Sequence, residues 1–242
     1  MLLKKLIRYI PTDKKNIIIS GISTDSKKIK KNYIFFAIRG KKFNGEKFIK
    51  EAVNKGATVV VCSKNCKIRN NNILIFKTGK IRHLLSEVAS KFYKLKPKNI
   101  IAVTGTNGKT SVSDFFYQIL RINNMRVASI GTLGIKYNDK IIKTNLTSPD
   151  TITLHKNLNY LKNKKINNVI IEASSHGLSQ KRLHNIKFKG AIFTNFSQDH
   201  LDYHKTMKSY LNAKLILFRK LLRKKSTIIA DDEIPTFKIL NQ

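Results

Sequence analysis

Two glycines, a lysine and two hydroxyl residues, all directly behind an apolar run, are the residues of this sequence best suited to chemistry. In "IAVTGTNGKTSV", residues 101 to 112, Gly105 and Gly108 flank Thr106 and Asn107, and Lys109, Thr110 and Ser111 follow at once. A helix beginning here would aim its first N–H groups and the positive end of its dipole at an anion. Lys109 could reach the outer phosphates of a nucleotide, and Thr110 or Ser111 could place a hydroxyl on Mg²⁺. The spacing is not the common G-x-x-x-x-G-K-[ST], which would need glycine where Val103 stands. The alternative is a plain strand-to-helix turn, which suits glycine but gives no reason for Lys–Thr behind it.

Two further stretches carry polar clusters at the ends of apolar runs. In "VIIEASSHGLSQKR", Glu172 stands where an acid could hold Mg²⁺, and Arg182 could clamp an anion. Against this, a lone glutamate at a strand end is commonly just solvated, and His176 could be a packed histidine. In "FTNFSQDHLDYH", Asn195, Asp199, His200, Asp202 and His204 gather after another run, and His200 could bind or orient a metal. In "YLNAKLILF", Lys214 lies on an otherwise apolar helix, where a snorkelling lysine is the ordinary case.

These residues need strand ends to hold them. From "IIAVTG" onward the sequence alternates short apolar runs ("RVASIG", "NNVIIEAS", "FKGAIFTNFS", "STIIADD") with helical patterns ("KTSVSDFFYQILRINN", "TITLHKNLNYLKNKK", "SYLNAKLILFRKLLRK"). That rhythm predicts an α/β domain with a mostly parallel sheet, whose ligands sit beyond the carboxyl ends of its strands. The earlier part reads as a smaller α/β unit, with strands at "YIFFAIRG", "TVVVCSK" and "NILIFK" and helices at "EKFIKEAVNKGA" and "GKIRHLLSEVASKFYKL". "MLLKKLIRYIPTDKK" reads as a first helix rather than a signal peptide. "KLKPKN" marks the boundary, giving domains 1–95 and 96–242. The sequence stops soon after "STIIADD", so the second domain is expected to be incomplete.

The net charge of +34 is the one extreme bulk value. Basic proteins release counterions from nucleic-acid phosphates. Here, however, lysines are spread along the whole chain together with abundant Ile and Asn, which points to composition bias. Anionic small substrates would still be attracted. No apolar run approaches the roughly 20 residues of a membrane span. Cys62 and Cys66 have no companions at zinc-ligand spacing, and two cysteines fit a reducing cytoplasm.

With these residues in hand, the sequence resembles the Mur ligase family of peptidoglycan-precursor enzymes. "TGTNGKTS" is similar to that family's short phosphate loop. "EASSHGLSQKRL", "FTNFSQDHLDYH" and "YLNAKLILF" resemble the branch that adds the third amino acid, and "STDSKKIKKNYIFFAIRGKKFNGEKF" resembles a uridine-nucleotide domain of the family. The resemblance implies a cytoplasmic, ATP- and Mg²⁺-dependent carbon–nitrogen ligase of cell-wall synthesis, serving cell shape and division. It implies a substrate, UDP-N-acetylmuramoyl-L-alanyl-D-glutamate, and a diamino acid, meso-diaminopimelate in the first instance, joined through an acyl phosphate. Gly105, Thr106, Asn107, Gly108, Lys109, Thr110 and Ser111 would bind ATP. Thr24, Ser26, Lys41, Lys42 and Phe43, then Thr147, Ser148, Ser174, Gln180 and Arg182, would bind the UDP-linked peptide. Where the family often has a His–Gln-type pair, this chain has Lys41 and Lys42. Lys109, Glu172, His200 and Lys214 would be catalytic, with Thr110, Glu172, His200 and a carbamylated Lys214 toward metal. The family's third domain, which takes the incoming amino acid, is not matched, so this piece is expected not to complete ligation. A MurF-type or other ligase of the superfamily is the near alternative, although "SSHGL" is not the MurF pattern. A basic nucleic-acid-binding protein is the distant one.

Overall fold

The computed structural model describes residues 1–40, 43–144 and 146–232, and the chain divides into two compact units, Met1–Phe92 and Tyr93–Gln242. In the first unit a one-turn helix α1 (Leu3–Leu6) precedes strand β1 (Gly21–Ser23) and strand β2 (Tyr33–Phe36). Helix α2 (Ile49–Asn54), strands β3 (Ala57–Cys62) and β4 (Leu74–Lys77) and helix α3 (Ile81–Phe92) complete it. The four strands form one parallel sheet in the order β1-β2-β3-β4. Cys62 and Cys66 are buried free thiols in its core with Phe35, Val60 and Ile49.

The expected first helix is a single turn. Residues 1–4 instead pair their backbone with residues 15–19, through Leu3 N–H to Ile17 O at 2.9 Å and Ile19 N–H to Met1 O at 2.8 Å. Pro11 holds the chain before it out of the helical region. The apolar positions Leu3, Leu6, Ile7 and Ile10 are buried all the same.

The second unit begins with strand β5 (Asn99–Thr104), helix α4 (Lys109–Ile122) and strand β6 (Val127–Gly131). Strands β7 (Gly134–Tyr137) and β8 (Lys140–Ile142), helix α5 (Thr151–Asn163), strand β9 (Asn168–Glu172) and helix α6 (Ser175–Ser179) follow. Strand β10 (Phe188–Phe193), helices α7 (Leu201–His204) and α8 (Met207–Ile216) and strand β11 (Leu222–Ala230) end the described residues. The seven strands are ordered β11-β10-β5-β9-β6-β7-β8, parallel except for β7 and β8. Neighbours β5 and β10 send their connections in opposite directions, toward β6 and toward β11. That is a topological switch point, where a crevice opens beyond the strand ends.

Two stretches of the second unit also differ from expectation. The helix expected through Lys224 ends at Ile216, passes through a wide turn at Leu217–Leu221 and becomes β11 at Leu222. Leu217 and Leu221 fill the core, and pairing with β10 (Ala191↔Ile228, Ile192↔Ile229) overrides the helical preference of the Arg–Lys run. The β7–β8 hairpin was not anticipated. Its turn, Asn138–Asp139, has φ of 42° and 60°, the left-handed pair that a two-residue hairpin requires. Among the described residues, no helix is long and apolar enough to cross a membrane.

Candidate functional site

The loop after β5 lies at the switch point and is held there by the end of β10. Gly105 has φ +148°, and a Cβ on it would sit 1.9 Å from Thr194 Oγ1, so the closeness of the two strand ends requires glycine. Thr194 Oγ1 donates to Asn107 O at 2.6 Å, Thr106 N–H donates to Asn195 O at 3.0 Å, and Asn107 N–H donates to Asn195 Oδ1 at 2.9 Å. Gly108, at φ +82°, then opens α4, whose first amides have no intrahelical acceptor. Lys109 Nζ lies over the loop, donating to Gly105 O at 3.0 Å and Thr106 O at 2.7 Å.

Glu172, at the end of β9, is 2% exposed and not a solvated surface acid. Its Oε2 accepts from Thr110 Oγ1 and Thr132 Oγ1, each at 3.0 Å, and its Oε1 accepts from Thr132 N–H at 3.0 Å. Lys214 is likewise no surface lysine. It is 1% exposed, its Nζ reaches Gly105 O at 2.5 Å, and it stands 4.3 Å from the Tyr210 ring centroid. Burial, and next the charge of Lys109, push its pKa down to about 7. Burial also lowers the pKa of Lys109, against the opposing pull of Glu172 and Asp199.

Lys109, Glu172, His200 and Lys214 line one polar cavity of about 290 Å³, together with the loop, Thr132 and Thr147. His200 sits at φ 53°, its N–H bonded to Asp199 Oδ1 at 2.7 Å and its ring edge-on to His176 at 4.8 Å. A larger hollow of about 390 Å³ lies between α4 and β10–β11. Its wall is mainly apolar (Phe116, Leu120, Ile192, Ile229) and holds no acid or histidine, whereas the smaller one is lined by Lys109, Glu172, His200 and Lys214.

The residues expected to contact the peptide fall into two groups. Ser148, Ser174, Gln180 and Arg182 form one hydrogen-bonded network. Ser148 Oγ donates to Glu172 O at 2.8 Å and accepts from Ser174 N–H at 3.0 Å, and Arg182 donates to Ser148 O at 2.8 Å and to Gln180 Oε1 at 2.7 Å. Ser174 caps α6 by accepting from Gly177 N–H at 3.1 Å. Thr147 Oγ1 lies 3.1 Å from Thr132 Oγ1. In the first unit, Thr24 and Phe43 are exposed, whereas Ser26 is buried with its hydroxyl on Glu51 Oε2 at 2.8 Å. Lys41 and Lys42 lie outside the described residues.

Among the described residues, no three His, Cys, Asp or Glu side chains are grouped to hold a metal ion. The oxygens of Glu172 and Thr110 nonetheless suit Mg²⁺, which keeps several waters and needs few protein ligands beside nucleotide phosphates. Thr132 and Tyr210 were not singled out from sequence. The position of Thr132 directly after an apolar run ending in glycine, and of Tyr210 one helical turn before Lys214, are the signals that could have found them.

The family model described as "Mur ligase middle domain" matches residues 103–241, more than half of the chain. This chain belongs to the Mur ligase family. A second model, "Mur ligase family, catalytic domain", matches residues 18–93. Among curated Mur ligases, the chain is 40% identical over 240 residues to a UDP-N-acetylmuramoyl-L-alanyl-D-glutamate--2,6-diaminopimelate ligase of Wigglesworthia glossinidia brevipalpis, covering 96% of this chain and 48% of the relative. It is 36% identical over 225 residues to the ligase of that name from Brucella melitensis, covering 92% of this chain and 46% of the relative. The solved structure of a ligase with the same name superposes with TM-score 0.86 at 26% identity, over 100% of this chain and 49% of that one. MurF ligase from Thermotoga maritima in complex with ADP, at TM-score 0.64 and 19% identity over 93% of this chain and 48% of that one, shares the fold. The chain spans about half the length of the Mur ligases it matches.

Proposed function

We propose that this chain carries the nucleotide and UDP-peptide sites of an ATP-dependent ligase. The reaction joins meso-diaminopimelate, or another diamino acid, to UDP-N-acetylmuramoyl-L-alanyl-D-glutamate in peptidoglycan precursor synthesis. The observation that carries the reading is the single cavity shared by the Lys109 loop, Glu172, His200 and Lys214. The names of the relatives at 36% and 40% identity supply the substrate. They also favour this branch over a MurF-type ligase, to which the likeness is one of fold.

In this reading ATP lies with its phosphates on the α4 N-terminus, and Lys109 leaves the loop carbonyls to contact the outer phosphates. Glu172 and Thr110, with His200 and a carbamylated Lys214, would hold Mg²⁺, which would supply charge neutralisation on the phosphates. The substrate carboxylate attacks the γ-phosphorus, ADP leaves, and an acyl phosphate forms. The amine of the diamino acid then attacks the acyl carbon, phosphate departs, and the amine loses a proton to give the amide. The Ser148–Ser174–Gln180–Arg182 network positions the peptide, while Thr24, Ser26 and the 41–43 segment serve the UDP-sugar. The chain's own groups orient and neutralise, and no nucleophile of the protein enters the steps.

Calorimetry with ATP·Mg²⁺ and with UDP-N-acetylmuramoyl-L-alanyl-D-glutamate tests this. Binding of both, with ATP binding lost on Lys109→Ala, supports it. The charge of +34 favours a second reading as a nucleic-acid binder. Salt-sensitive DNA retention unaffected by Lys109→Ala, with no ATP binding, would establish that instead.

A further inference from the structure

Resting on the nucleotide–metal reading above, we propose that Thr132 is a positioning residue that sets the affinity of this site for the divalent cation. Thr132 follows β6 directly and grips both oxygens of the Glu172 carboxylate. Its N–H donates to Oε1 at 3.0 Å and its hydroxyl to Oε2 at 3.0 Å. The preceding turn runs so close that a Cβ on Gly131 would sit 1.9 Å from Oε1.

The direction of the hydrogen bonds follows from proton counting. An ionised carboxylate only accepts, and a threonine hydroxyl has a single proton to give. Thr132 therefore spends its proton on Glu172, and Thr147 Oγ1 stands 3.1 Å from the same hydroxyl. With Thr110 also donating to Oε2 at 3.0 Å, three of the roughly four acceptor sites of the carboxylate are filled by fixed donors. The rotamer is thus locked, and the remaining acceptor capacity lies on Oε1. Thr132 is itself exposed, so changing its hydroxyl leaves the core intact. Partners that orient a metal-binding side chain typically change metal affinity by about 10–100-fold when removed.

The test compares wild type, Thr132→Val and Thr132→Ser by calorimetry with ATP, in Mg²⁺ and in chelator, alongside ligand-free melting. The expected result has three parts. The Val change reduces the Mg²⁺-dependent gain in ATP affinity by about 10-fold or more, leaves affinity in chelator unchanged, and is reversed for the most part by Ser. Any fall in ligand-free melting in the Val variant is restored by Ser. A Val variant that keeps the full Mg²⁺ gain overturns the inference and leaves the nucleotide reading standing. Loss of ligand-free stability that Ser does not restore shows a merely structural residue and also overturns it. If wild type shows no Mg²⁺-dependent ATP binding, the underlying reading fails first.

Discussion

Lys214 Nζ donates to the carbonyl oxygen of Gly105 at 2.5 Å, across 109 residues of sequence, from a side chain that is 1% exposed. The backbone of the loop after β5 is thus held by a lysine of α8. Lys109 contacts the same carbonyl from the loop side at 3.0 Å. Burial and the neighbouring charge of Lys109 outweigh the pull of Asp199, so the charged form of Lys214 is disfavoured.

A pKa near 7 leaves a large share of Lys214 as neutral amine at neutral pH. Its lone pair can attack the carbon of CO₂, release a proton to solvent and leave a carbamate anion. Protein equilibrated with ¹³C-bicarbonate is expected to show one carbamate carbon resonance that Lys214→Ala lacks. Identical spectra would remove Lys214 from the candidate metal ligands.

Gly131→Ala drives a methyl group into the buried Glu172 carboxylate, since the built Cβ falls 1.9 Å from Oε1. The acid must turn away from Thr110 and Thr132. The expected outcome is a loss of Mg²⁺-dependent nucleotide affinity of at least about 10-fold, with a destabilisation of about 1–3 kcal/mol from overpacking. Calorimetry and urea unfolding check the two parts, and unchanged values in both would mean that Glu172 is not fixed as described.

Much of this arrangement was legible in the sequence, and for physical reasons. Parallel strands buried on both faces read as continuous apolar runs, so "IIAVTG" and "NVIIE" announced β5 and β9, and the residues at their carboxyl ends announced the loop and Glu172. Burial was not legible. Glu172 and Lys214 carry charges that composition assigns to the surface, and only the packing of β6, β9 and α8 around the loop explains their enclosure. Thr132 escaped notice because an isolated threonine has no motif. Its role comes from a turn brought against β9 by sheet order. Residues 222–224 read as helix because Arg and Lys favour it locally, whereas the partner strand β10 decides the outcome.

His155 provides an acid-stability test away from the site. It is fully buried on α5, bonded through Nε2 to His184 O at 3.3 Å. Burial, aided by the charge of Lys96, pushes its pKa down to about 3. The unfolded chain, at an ordinary value near 6.5, then binds the proton first as pH falls. Stability from this group therefore declines below about pH 6.5, by up to about 1.4 kcal/mol per pH unit, until about pH 3. Urea midpoints for wild type and His155→Leu, at about pH 7 and about pH 4, are expected to show a smaller acid loss in the variant. Equal losses would contradict the assignment.

The most direct measurement is calorimetric titration of the 242-residue protein with ATP in Mg²⁺, beside Lys109→Ala. The central claim is that the loop after β5, with Glu172 and Lys214 behind it, is one triphosphate site. It requires one molecule of ATP per chain and an affinity at least about 10-fold weaker in the variant, as loss of a charged hydrogen bond entails. No heat with wild type, or equal binding by both proteins, would contradict it.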